Sequence, residues 1–208
     1  MTRYLVVVGN SPVPSKQLSA LPDSAIARKI DSFDVIVRFN EIKNRNASWI
    51  GTRTDVLFLR VEGNPAMYRA HQGPWNIPPN LMPKRIILSC DETTEHLYPN
   101  LFGDRSRGRV FIRKTLVNAG LTHLRPWVMG RTQITNLMKL LGATPQNPPP
   151  YPSLGMAGIH YVMTAPEYAD CEIYVTGFTF QGWEGHSWKA EEELVEKWQK
   201  SGRLHYLV

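Results

Sequence analysis

A chain of 208 residues is long enough for one domain with a full core. Hydrophobic residues make up 42% and charged residues 20%, the balance of an ordinary globular enzyme, and no apolar run of about 18 residues exists that could span a bilayer. The net charge of +6 and pI near 9.4 favour anionic partners: nucleotides, nucleic acid, phosphorylated glycans or a membrane surface.

The first predicted element is a strand over 4–8, "YLVVV", which stops at Gly9, Asn10 and Ser11. The opening "MTRYLVVVGN" does not read as a secretion signal, because its apolar part is short and runs straight into that loop. A helix over 23–30 leads to a strand "DVIVRF" at 34–39, which delivers Asn40. Arg38 stands two residues before Asn40 and shares its face if the strand continues. A strand at 55–59 precedes a loop over 61–83 rich in Pro, Asn and Gly. After a strand at 85–89 comes the densest basic stretch, "DRSRGRVFIRK", with Arg105, Arg107, Arg109, Arg113 and Lys114. It reads as a solvated surface loop or as an acceptor or polyanion contact. Then follow a helix at 131–141, a loop at 144–152, a helix at 154–164, a strand at 172–177, a helix at 188–200 and a strand at 204–208. The strands are short apolar runs without strict alternation, which suits burial on both faces of a mostly parallel sheet. Strands alternating with helices imply a single α/β domain over 1–208, folded as a three-layer α/β/α sandwich. Its two cysteines, Cys90 and Cys171, exclude a framework of several disulfides or a four-cysteine zinc site. A cytoplasmic protein with reduced thiols is expected.

Ligands of an open α/β sheet bind at the carboxyl ends of the strands. The first loop there, Gly9 to Ser11, carries neither a triphosphate-binding Gly-Lys-Thr/Ser nor a dinucleotide-binding G-x-G-x-x-G. Asn10 and Asn40 each end a strand, and an asparagine amide offers both a donor and an acceptor. Such a pair can grip a phosphate or ribose, or each can cap its own turn. "PSLG" opens a helix with Ser153 as N-cap, Leu154 next and Gly155 able to admit close backbone approach. The free N–H groups of a helix start form an anion site. Ser187 caps the helix at 188–200, so His186 stands just before its positive end and is a candidate general base if neutral.

The order of these pieces is more specific than any one of them. "VVVGNSP…IDSFDVIVRFNE…GTRTDV" resembles the large motif of the sialyltransferase family. "PSLGMAGIHYVMTAPEYADCEIYVTGF" is similar to its small motif, and "HSWKAE" to its very small motif of His followed five residues later by Glu. The resemblance covers roughly residues 5–55 and 152–191. It implies a Rossmann-like fold and a glycosyltransferase with a CMP-sugar donor. It further implies a single displacement that inverts the anomeric carbon, without a cofactor or metal. The chain has no Asp-x-Asp that could hold one beside a nucleotide diphosphate. By the resemblance, Gly9, Asn10, Ser11, Asn40, Ser153, Leu154 and Gly155 form the donor site. His186 is the base, and Arg38, Gly177, Phe178 and Glu191 are supporting residues.

The chain departs from the family pattern at several points. Leu154 stands for the usual Thr, Thr176 for the Tyr before Gly177 and Phe178, and no further histidine motif precedes His186. Leu5 and Asp170 fall about where the animal enzymes' linking cysteines would be. The acceptor reads as a bacterial surface glycan or small glycoside. An alternative is a hydroxymethylated DNA base, with Arg105, Arg107, Arg109 and Arg113 on the phosphates. A nucleotide-binding module without catalysis is a third reading, against which His186 argues.

Overall fold

The computed structural model describes residues 2–14, 18, 20–61, 68–69, 71–89, 106–129, 131–143 and 152–208, without the side chains of 106–111 and 131. Seven strands form one sheet: β1 (Arg3–Val8), β2 (Val35–Phe39), β3 (Val56–Leu59), β4 (Arg85–Leu88), β5 (Trp127–Val128), β6 (Cys171–Thr176) and β7 (His205–Tyr206). Their spatial order is β5-β4-β3-β2-β1-β6-β7, and every pairing is parallel. The chain runs outward from β1 to one edge, then returns to place β6 on the other flank of β1. The β1/β6 seam is therefore the topological switch point, where such sheets bind ligands.

Alternate side chains of each strand feed two cores. On one face Val6, Val8, Ile36, Leu57 and Ile86 pack with Ile26 and Ile30 of α1 (Asp23–Asp31) and with α2 (Ser106–Ala119). On the other, Leu5, Val7, Val37, Phe58 and Ile87 meet α3 (Arg131–Leu140), α4 (Leu154–Thr164) and α5 (Trp188–Lys200). This is the three-layer α/β/α sandwich expected. Among the described residues no helix is long and apolar enough to cross a membrane.

Two elements differ from the sequence reading. The basic stretch is not a loop where it is described, but the start of α2. Ile112, Leu116 and Ala119 recur at helical spacing and pack on the core, while Arg113 and Lys114 stay exposed. The arginines hid that period. β5 is only two residues long and both are exposed, so it has no buried run to betray it.

His160 lies inside α4, 2% exposed, with its Nδ1 lacking a partner and its ring stacked 6.4 Å from Trp198. Burial, helped by Arg203, pushes its pKa down to about 4. A depressed histidine stabilises the fold above its unfolded value of 6.5, and that stability is lost as pH falls through about 4. Urea unfolding should show about 3 kcal/mol of acid loss from this group, which His160→Gln removes.

Candidate functional site

The carboxyl ends of β1 and β6 meet backbone to backbone. Gly9 N donates to Thr176 O at 2.8 Å and Ser11 N to Gly177 O at 3.1 Å. A Cβ on Gly9 would sit 2.2 Å from Gly177 O, and Gly177 has φ +70°. Both positions need glycine: one for room, the other for its left-handed backbone. Gly9→Ala should lower the thermal midpoint, with a cost of roughly 1–3 kcal/mol from the overlap. An unchanged melting curve would refute the close packing. Ser11 is buried, and its hydroxyl accepts from Val13 N at 3.2 Å, so it shapes the loop from within.

Asparagines stitch this seam to its neighbours. Asn10 donates from Nδ2 to Phe39 O and accepts at Oδ1 from Lys43 N, each at 3.2 Å. Asn40 takes the left-handed conformation, φ +50°, which asparagine tolerates. Its Oδ1 accepts from Arg60 N at 3.0 Å. The acceptor end of each amide is thus used within the protein, and what remains for a ligand is one N–H proton of Asn10 and those of Asn40. Asn44 is a third member that the sequence reading missed. It is buried and donates from Nδ2 to Gly9 O at 3.1 Å and Ser11 O at 3.0 Å. Arg60 is a fourth, donating to Pro152 O at 2.7 Å.

That bond leads to the start of α4. Ser153 caps the helix, its Oγ accepting from Met156 N at 3.1 Å. The same hydroxyl donates to Glu191 Oε2 at 2.6 Å, and Ser153 N donates to Glu191 Oε1 at 2.7 Å. A serine has one hydroxyl proton, and Glu191 holds it. An anion at this helix start would therefore have to meet the backbone N–H groups of the first turn rather than the Ser153 hydroxyl. Leu154 is buried in the core. Gly155 admits Phe178 rather than open space: a Cβ there would lie 2.7 Å from the Phe178 ring. Phe178 also nears Gly9 and meets Phe39 edge-on at 6.0 Å. The contacts close a ring through Gly9, Asn10, Asn40, Arg60, Pro152, Ser153, Gly155, Phe178 and Gly177, and Glu191 bolts α5 to it.

His186 stands five residues before Glu191, at the entry to α5. Its ring lies edge-on to Trp183 at 5.0 Å and to Trp188 at 4.9 Å. Other expected residues fall elsewhere. β2 ends at Phe39 and Asn40 leaves the extended conformation, so Arg38 does not share its face. Arg38 is 1% exposed and donates to Arg53 O at 3.0 Å and to Ile50 O. Burial lowers its pKa to about 10 against the pull of Asp31 and Asp55, so it stays charged and ties down the crossover between β2 and β3. Arg105 lies outside the described residues, as do the side chains of Arg107 and Arg109. Arg113 projects from α2, and Lys114 Nζ lies 3.0 Å from His71 Nδ1. None of the described hydrogen bonds joins α2 to the ring. Among the described residues, no group of three His, Cys, Asp or Glu is placed to hold a metal.

A parallel sheet with a glycine-tight switch point and a capped helix start beside it is a Rossmann-like α/β architecture, whose ligands bind at the strand ends. Comparison with solved structures narrows the fold. A mammalian sialyltransferase in complex with Gal-beta-1-3GalNAc-ortho-nitrophenol matches with a TM-score of 0.58 and 17% identity, over 99% of this chain and 69% of that one. The sialyltransferase CstII from Campylobacter jejuni, in complex with the substrate analogue CMP-3FNeuAc, matches at 0.57 and 13%, over 99% and 81%. The monofunctional alpha-2,3-sialyltransferase Cst-I from the same organism gives 0.55 and 13%, over 99% and 76%. The chain has the sialyltransferase-like fold that its motifs imply. By sequence it is 25% identical, over 229 aligned residues, to the urease operon 23 kDa accessory protein of Rhizobium meliloti, covering 99% of this chain and 93% of that one. No protein-family model matches.

Proposed function

We propose that the protein is an inverting, metal-independent glycosyltransferase that moves a sugar from a CMP-activated donor to an acceptor hydroxyl. The observation that carries this reading is the closed ring at the β1/β6 seam, because it joins all three motif segments at the end of the sheet where nucleotides bind. The donor phosphate would meet the first-turn N–H groups of α4, with the remaining amide protons of Asn10 and Asn40 nearby. The acceptor oxygen attacks the anomeric carbon, the bond from that carbon to the phosphate oxygen breaks, and CMP leaves. The acceptor's proton passes to His186. The fold supports this reading through structural neighbours solved with a disaccharide glycoside and with a CMP analogue.

Titration calorimetry should show saturable CMP binding that is the same with and without a chelator. Binding that requires a divalent ion, or that favours uridine diphosphate over CMP, would overturn the donor assignment. The DNA-base acceptor draws on the net charge of +6. It predicts duplex or single-strand binding that weakens steeply with salt as counterions are released. Beside His186 stand the exposed Glu184 and the Lys189–Glu193 pair, which carry no net positive charge and favour the glycan.

A further inference from the structure

The loop after β6 ends in Trp183, Glu184, Gly185 and His186, directly before α5. An indole is a large apolar surface that proteins usually turn inward. Trp183 is 63% exposed. It is nevertheless held in place. A Cβ on Gly185 would come within 2.3 to 2.5 Å of three atoms of the Trp183 ring, so the indole lies against bare backbone at Gly185. Trp188 Nε1 donates to Trp183 O at 2.9 Å, which closes the loop on itself. The Trp183 and His186 planes meet at 89°. Beside them the surface dips into a depression lined by His186, Ser187, Trp188, Lys189, Ala190 and Glu193.

An exposed aromatic plate beside an imidazole, at the rim of a shallow depression, suits a sugar ring. The carbon-bound hydrogens on one face of a pyranose carry partial positive charge, and the face of an indole is negative. The hydroxyls of the sugar then project sideways, where carboxylates and hydroxyls accept and donate. Around the depression Lys189 is drawn to Glu193 at 3.9 Å and Glu184 is exposed, so the lining carries no net positive charge to attract a phosphodiester chain.

We propose that Trp183 is the stacking platform of an acceptor subsite that takes a neutral pyranoside and sets one of its hydroxyls beside His186. Its link to the reaction rests on the glycosyltransferase reading, whereas the sugar binding itself does not.

Methyl β-galactoside and methyl β-glucoside are the probes, read by saturation-transfer NMR and by tryptophan fluorescence, with CMP calorimetry run on the same proteins. At least one glycoside should bind saturably, with its ring hydrogens saturated. Trp183→Ala should weaken that binding about tenfold or more, Trp183→Phe should keep a good part of it, and Gly185→Ala should weaken it by displacing the indole. Trp127→Ala removes an exposed indole at the far edge of the sheet, on β5, and should change nothing. Glycoside binding that survives Trp183→Ala, or no binding of either glycoside at tens of millimolar, overturns the subsite. So does Trp183-dependent binding of a single-stranded oligonucleotide in preference to both sugars, since an exposed indole also stacks bases. If CMP binds while the glycosides ignore Trp183, the subsite falls and the donor reading stands. If the glycosides need Trp183 while CMP does not bind, the subsite stands and the donor reading falls.

Discussion

His186→Ala should lower turnover by about 10²–10⁴-fold, the usual contribution of a general base, while CMP binding changes little. The ring that would hold the nucleotide is closed by Gly9, Asn10, Asn40, Arg60, Ser153 and Phe178, and His186 is not one of its links. Added imidazole should restore part of the lost rate. His160 and His205 are the controls. The first is buried against Trp198, and the second packs on Tyr174 at 5.1 Å. Near-normal turnover in a folded, CMP-binding His186→Ala protein would place the base elsewhere.

The sheet was legible because strands buried on both faces write themselves as apolar runs. The runs at 4–8, 34–39 and 172–177 all proved to be strands within a residue at each end. α2 was hidden because its apolar stripe of Ile112, Leu116 and Ala119 starts within the arginine run at 105–113. In the candidate site the sequence shows which residues end strands but not what their side chains do there. Ser153 reads as an N-cap within the donor site, and nothing in the sequence shows that Glu191, 38 positions away, takes its proton. Gly155 reads as an opening for a ligand until Phe178 fills it. Asn44 and Arg60 donate to backbone carbonyls 33 to 92 positions away, and no spacing rule announces such bonds. Arg38 was assigned to the face of Asn40 by strand alternation, which a left-handed residue at the strand end breaks.

The second large effect is expected at Glu191. It is fully buried, and both its oxygens accept bonds from Ser153. Glu191→Ala leaves the Ser153 N–H and O–H buried without partners, at roughly 1–3 kcal/mol each, and opens a cavity as well. Urea unfolding should show a loss of about 3 kcal/mol or more, and CMP binding should weaken because the start of α4 is no longer held. Glu191→Gln keeps one acceptor and should fall between. Burial pushes the Glu191 pKa above its ordinary 4.5, against the Ser153 bonds and Arg60. A raised carboxyl stabilises most below that ordinary value and less as pH rises through its folded value. This is opposite in sense to His160, and Glu191→Gln should remove the slope. A Glu191→Ala protein as stable and as tightly CMP-binding as the parent would show that the Ser153–Glu191 bolt does not hold the site.

The central claim is transfer from a CMP-activated sugar. Its most direct test is to incubate the protein with a panel of CMP-sugars, neutral glycosides and hydroxymethylated DNA, with and without chelator, and to follow products by mass spectrometry. The account predicts release of CMP matched by an acceptor glycoside heavier by one donor sugar, undiminished by the chelator and cut about 10²–10⁴-fold by His186→Ala. Consumption of a uridine diphosphate sugar with every CMP-sugar left intact would contradict it.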